Sequence, residues 1–498
     1  MIVYLRTRHR LAMAAAVLAL FGFGCFVYGA LSVRNTTQGI LLVGLTFFLI
    51  VYWAKPELMI GLALFLGCAA LPQGLHVGKV IGPVSIYASH VVLILAICFV
   101  LPVVRLRMSD YLLPGMFGIV VIYFAAVGFS TGHHTGIVVR EATFLFEMLA
   151  GFVLALVVVY GDYVILSIHA MAFTLWFSAG MAILGSSGGI RLAGRTESLQ
   201  ADTGDAANRV ITSSLIPAIA VLTALVAAQI AGRVKPSAYL ALGLPALVIA
   251  VLAFSRNTIL SVGVAAVVAF FASMGWSAVR RAARLTLTGA GILAVTIPLA
   301  LFLLGDSTAG VWLANQITGF SHRVLGRSTG TALTEDPSTL ARFAEDRHLN
   351  DAIAAAPVFG HGLGYAYQLP FGGDDPSEFT QTLGTTYAHN FYLWWLAKSG
   401  AIGMTGFAVF ALTPLVRALR SASVPAKVSA ATSVGLLVMC VIDPLPEDPA
   451  NSMTLGIALG AAMAFATLGR RRVRPELEEP ATDDYAARPA SVPDGVAR

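Results

Sequence analysis

An all-α, polytopic integral membrane protein is the fold class this sequence predicts, and three observations predict it. Of its 498 residues, 57% are hydrophobic and only 12% charged, a balance expected where lipid rather than water is the solvent. Apolar runs long enough to cross ~30 Å of hydrocarbon, roughly 20 residues each, follow one another almost end to end. Short basic clusters separate alternate runs, as loop anchors do.

Taken between charged or Gly/Pro-rich breaks, the runs give about fourteen spans. They lie near 11–31, 38–54, 57–72, 84–104, 111–129, 141–160, 163–184, 211–231, 238–254, 258–278, 285–305, 401–418, 427–442 and 452–468. The first follows "MIVYLRTRHR" and is too long for a signal-peptide core, with no clear small-x-small cleavage site behind it, so it is expected to be retained. Placing the N-terminus inside gathers Arg6, Arg8, Arg10, Arg105, Arg107, Arg233, Lys235, Arg280, Arg281, Arg284, Arg417, Arg420, Lys427 and the "RRRVR" run on one face. The opposite short loops then hold Arg34, Lys79, Arg140, Arg256 and Lys398, and this asymmetry predicts that both termini are cytoplasmic.

The chain divides accordingly into a cytoplasmic N-terminus (1–10), N-terminal transmembrane helices (11–184), an extracytoplasmic loop (185–210), a second block of spans (211–305), a long extracytoplasmic loop (306–400), C-terminal spans (401–468) and a cytoplasmic tail (469–498). The long loop exceeds a simple connector and is where function is expected. The tail is rich in Pro, Ala and acids and is expected to be disordered. No internal repeat is visible. The net charge of +6 is scattered among loops, which argues against nucleic acid as a partner. Cys25, Cys68, Cys98 and Cys440 all sit inside apolar runs, where a thiol is a small hydrophobe rather than part of a disulfide framework or metal site.

Three places carry polar residues that need a reason. Arg256, in "AFSRNTIL", separates two spans joined by almost no loop; it reads as a snorkelling arginine in a tight turn or as an anion-binding group. Arg342, in "TLARFAEDRHLNDAIAAAPVFGHGLG", shares a helical face with Asp346 and Asn350, with Glu345 and Leu349 beside them, a pattern that also suits a solvated amphipathic helix. The glycines that follow resemble a phosphate cradle only weakly, lacking the lysine and the preceding strand. In "TYAHNFYLWWLAKSGAIG", His389 can take a proton near neutral pH and Asn390 can orient it or a substrate. The same pair reads equally as a helix N-cap, followed by an interfacial helix with Trp394 and Trp395 at headgroup level.

The ordered set "SRN", Arg342, "PVFGHGLG" and "HNFYLWWLAKSGAIG" resembles the bacterial O-antigen ligase and O-antigen polymerase family over roughly residues 210–418. Lys398 departs from it, since an acid is frequent there, and the span count is higher. The resemblance implies a membrane glycosyltransferase of the GT-C type in cell-envelope polysaccharide biosynthesis. It would move a glycan from a polyprenyl-pyrophosphate carrier to a hydroxyl of a glycan, lipid or protein acceptor, at the outer face of the bacterial plasma membrane. No cofactor and no metal are implied. Carried over, Arg256 and Arg342 would hold the pyrophosphate, His389 would serve catalysis, and Asn390 would contact substrate. The competing expectation is a transporter or flippase, which calls for ionisable residues paired within spans; His90, His169 and Glu147 lie within spans, with no pairing evident in the sequence.

Overall fold

The structure, a computed structural model, describes residues 55–73, 78–81, 84–104, 106–199, 206–232, 234–326, 337–368 and 385–473, with 29, 46 and 50 as isolated positions. The first two expected spans lie almost wholly outside the described residues, as do the basic N-terminus, Cys25 and the tail beyond Val473.

The described chain is mostly helical. Its helices are α1 (Leu58–Cys68), α2 (Ala88–Val100), α3 (Met108–Ser130), α4 (Thr135–Tyr160), α5 (Val164–Ser186) and α6 (Leu215–Ala231). There follow α7 (Pro236–Leu252), α8 (Arg256–Ala272), α9 (Trp276–Leu304), α10 (Thr308–Phe320), α11 (Pro337–Ala355), α12 (Phe391–Leu419), α13 (Val424–Met439) and α14 (Pro449–Val473). Six of these, α3, α4, α5, α9, α12 and α14, are long and apolar enough to cross a membrane, and six more are apolar but only 10–17 residues long. Fourteen full-length spans are therefore not what the described residues contain. At 1.5 Å per residue, the 11-residue α1 reaches barely half the hydrocarbon thickness.

Two expected spans start late because β-hairpins precede them. The run expected to span from residue 84 opens with β2 (Val84–Tyr87), paired antiparallel with β1 (Gly78–Ile81) in the register Gly78↔Tyr87 to Ile81↔Val84. "KVIGPVSIY" is β-branched and aromatic on both sides of a Gly-Pro dipeptide, which favours strands over helix. Likewise β4 (Asn208–Ile211) pairs with β3 (Arg195–Ser198) before α6 begins.

The core joins the N-terminal and C-terminal helices. α4 packs along α14, with Gly151, Gly456 and Gly460 at the contact, where small residues allow membrane helices close approach. Against α3, α12 contributes an aromatic cluster in which Phe117 and Phe410 stack at 4.9 Å and Phe391 meets Phe407 at 5.0 Å. Trp394 and Trp395 belong to it, 1% and 0% exposed, so their rings pack against protein rather than facing lipid headgroups. Their indole N–H groups donate to Thr386 O at 2.7 Å and Gly403 O at 2.9 Å, so each buried ring is satisfied inside protein. Of the intramembrane histidines, His90 lies 2.6 Å from Glu147, a pairing the sequence did not reveal, and His169 is exposed. Cys68, Cys98 and Cys440 are free thiols.

Candidate functional site

The glycine loop after α11 is a joint between helices. α12 breaks at Gly400, where φ is 58° and ψ −167°, and the loop fits into that break. His361 N donates to Ala397 O at 3.1 Å and Gly362 N to Lys398 O at 2.8 Å. In return Ala401 N donates to Pro357 O at 2.9 Å. Gly360 and Gly400 are obligatory here: both have positive φ, and a Cβ on either would fall within 2.4 Å of the other strand's backbone, closer than any real contact. The next two amides are also spoken for, Leu363 N by Phe124 O at 3.0 Å and Gly364 N by Glu141 Oε2 at 2.7 Å. These amides thus have protein partners, and the loop is no phosphate cradle. Glu141 holds Lys398 Nζ with its other oxygen at 2.5 Å, both side chains 1–2% exposed. The lysine that departs from the family pattern is one half of a buried ion pair that pins the joint to α4.

His389 is fixed from several directions. Tyr367 Oη donates to Tyr387 O at 2.5 Å, Ala388 N to Glu447 Oε2 at 3.3 Å, and Phe391 N to Cys440 O at 3.0 Å. Glu345 of α11 grips His389 twice, accepting from its backbone N–H at 2.5 Å and from Nδ1 at 3.0 Å. A carboxylate accepts only, so Nδ1 carries the proton and Nε2 is left as the basic nitrogen. The imidazole is 39% exposed while Glu345 is 10% exposed: an oriented base facing an opening, with its orienter buried behind it. Asn390 caps α12, its Oδ1 accepting from Tyr392 N at 3.1 Å and Leu393 N at 3.3 Å. The capping alternative thus describes Asn390, whereas His389 takes no part in the cap.

The arginines lie around the same loops. Arg256 is the first residue of α8, and its Nε and Nη2 both donate to Arg323 O, at 2.9 and 2.7 Å. Its neighbour Asn257 donates to Asp443 Oδ2 at 3.4 Å. Arg342 Nε is buried with no hydrogen-bond partner among the described residues. Burial pushes the Asp443 carboxyl up, an effect offset by the Asn257 hydrogen bond, by His389 when it is protonated, and by the charges of Arg342 and Arg209. Asp346, pushed up by burial and by Glu345, also feels His389 and Arg342. Arg342 and His389 thus share a neighbourhood that Asn257 ties to the start of α8. Arg209 of β4 joins it. Its Nε donates to Ala253 O at 2.8 Å, and burial and Arg323 bring its pKa down to about 10.

Glu345 is given no role in the sequence reading beyond lying beside the Arg342 face, and Arg209, Asp443 and Glu447 escape it. Glu345 was detectable, for it falls in register with Leu349 and Ala352 on the buried stripe of α11, and an acid there needs a partner. Asp443 and Glu447 stand in "IDPLPEDPANS", an acidic segment between two apolar runs. Asp448 closes that segment with its carboxyl surrounded by protein, which pushes its pKa from 3.8 to about 6. A raised acid stabilises the fold fully below the ordinary aspartate range and loses that contribution as pH rises through about 6. Asp448→Asn keeps the oxygen that accepts from Asn451 N, so its melting temperature should gain on wild type as pH is raised from acidic to neutral. A difference constant with pH would show that the carboxyl is not held neutral.

An oriented His–Glu pair, a buried unpartnered guanidinium donor and flanking arginines form a constellation suited to an anionic substrate and a hydroxyl that must lose its proton. No curated protein matches the chain. Residues 239–408 match the O-antigen ligase family model, and this matched stretch runs from α7 through α11 and His389 into α12.

Proposed function

We propose that the protein is a membrane glycosyltransferase that moves a glycan from a polyprenyl-pyrophosphate carrier to an acceptor hydroxyl at the outer face of the bacterial plasma membrane. The observation that carries this reading is that one helix, α11, supplies both the carboxylate that orients His389 and the buried Arg342 Nε that lacks an acceptor. In the proposed reaction His389 Nε2 accepts the acceptor's hydroxyl proton as that oxygen bonds to the anomeric carbon. The bond from that carbon to the carrier's phosphate oxygen breaks, and the electron pair leaves on the pyrophosphate. Arg342 and Arg256 meet the growing negative charge, guanidinium being suited to phosphate by its rigid planar fork. Glu345 balances the imidazolium that forms. The carrier's prenyl chain would rest in lipid, and the acceptor, a glycan, a lipid or a protein, would approach from the aqueous side.

Arg256→Lys and Arg342→Lys keep the charge and lose the fork. Each should lower transfer from a polyprenyl-pyrophosphate-linked glycan by roughly 10–100-fold, less than the ~10²–10³-fold for outright loss of a preorganised donor because the charge is kept, while the protein still inserts and folds. Transfer at the wild-type rate by both would remove the arginines from the site. Flux of the lipid-linked glycan across vesicles without any transfer product would favour a transporter instead.

A further inference from the structure

Beside the His389 cluster lies a cavity of about 770 Å³, walled by α2, α4, the β3–β4 region and the acidic segment at Asp443–Asp448. We propose that it binds one or a few sugar rings of a glycan substrate, a role that rests on the transferase reading above and gives the N-terminal helices a part in recognition.

Its size lies within the range of small-molecule sites, ~300–1,000 Å³. Its lining mixes apolar residues with His90, Glu147, Arg140, Asp443, Glu447 and Asp448. Two of these groups carry buried oxygens without a partner among the described residues, Glu147 Oε2 and Glu447 Oε1, on side chains that are 7% and 4% exposed as residues. Buried polar atoms are normally satisfied, so these two await a donor from outside the chain. A metal ion is a poor candidate, because no group of three His, Cys, Asp or Glu among the described residues is arranged to hold one. A polyol fits better. Burial pushes Glu447 well above the usual carboxylate range, and Asp448 reaches about 6. An ionised carboxylate accepts from sugar hydroxyls, and a protonated one can also donate to them.

The wall between cavity and catalytic cluster is thin. Glu447 Oε2 accepts from the amide of Ala388, the residue before His389, while Oε1 is the unpartnered atom. Asp443 lines the cavity and accepts from Asn257, next to Arg256. A saccharide in the cavity would therefore be separated from His389 and Arg256 only by the residues that Glu447 and Asp443 hold in place.

The test uses the full-length protein in nanodiscs and the glycan pool released by mild acid from the source cells' lipid-linked and envelope fractions, kept as two separate probes. Saturation-transfer NMR reads sugar binding, and sugar-free polyprenyl pyrophosphate binding is measured in parallel. Ser89→Trp fills the cavity from α2, and Glu147→Gln removes one acceptor; thermal unfolding checks that each variant folds. The expected result is signal from one pool with wild type, abolished by Ser89→Trp and weakened roughly tenfold in affinity by Glu147→Gln, about the worth of one buried hydrogen bond. Polyprenyl pyrophosphate binding should be unchanged in both variants. Signal from the lipid-linked pool marks the cavity as a donor subsite, and signal from the envelope pool marks it as an acceptor subsite. Absence of signal from both pools, or equal signal in wild type and Ser89→Trp, overturns the proposal. Sugar binding that behaves as expected in a protein that transfers nothing would instead overturn the transferase reading and leave the cavity assignment standing.

Discussion

Replacing His389 by alanine is expected to lower glycan transfer by about 10²–10⁴-fold, the range for loss of a positioned general base. Binding of sugar-free polyprenyl pyrophosphate should persist, because the arginines that would hold it lie on α8 and α11. Glu345→Gln probes the same pair from behind. It keeps an oxygen for one of the two hydrogen bonds that Glu345 accepts from His389 and removes the charge that balances an imidazolium. Transfer should then fall in kcat, with donor binding near wild type. The assay is in vitro transfer from a polyprenyl-pyrophosphate-linked glycan, with folding checked by thermal melting. Near-normal transfer by His389→Ala would reduce the pair to a structural clamp between α11 and the segment before α12.

The second large effect concerns stability. Lys398 and Glu141 form an ion pair with almost no solvent contact, and removing one partner of such a pair costs about 3–5 kcal/mol because the other charge is stranded. Lys398→Ala and Glu141→Ala should each lower the melting temperature steeply, or prevent accumulation in the membrane. Lys398→Glu should be worse still, since it sets two carboxylates in one buried site. The reversed pair, Lys398→Glu with Glu141→Lys, should recover a substantial part of the loss, though Gly364 N and Tyr365 O, which the native pair also serves, would face the wrong charges. Single variants that melt like wild type would show that the pair is not needed to hold the joint.

The sequence was most legible where one rule acted alone. Apolar length placed a helix in each of the twelve expected spans that the described residues cover, and failed over span length and at boundaries where a second rule competed. "KVIGPVSIY" is as apolar as a span, but its β-branched residues form a hairpin. α12 begins at Phe391, ten residues before the expected 401, so the stretch expected as a separate interfacial helix in the outer loop is continuous with the span, Lys398 included. Its neutralising partner, Glu141, lies 257 residues away in the chain, beyond the reach of any local pattern. The candidate site was legible as residue types in order and not as contacts. Arg256, Arg342 and His389 stand in marked contexts, whereas the Glu345–His389 bond depends on how α11 lies against α12. The glycine motif invited a phosphate reading, and the structure gives its amides to Ala397, Lys398, Phe124 and Glu141.

That joint also bears on the order in which the protein is made. The part of it between residues 357–362 and 397–402 closes within one stretch of nascent chain, but Leu363 and Gly364 dock on acceptors of α3 and α4 that leave the ribosome more than two hundred residues earlier. The early helices thus present the acceptors on which the glycine segment docks. Even Ala388 obtains its partner from Glu447, so His389 gains its final setting after α13 has been synthesised. The stretch that carries the family match is thus completed by residues outside it on both sides, Phe124 and Glu141 before it and Cys440 and Glu447 after it.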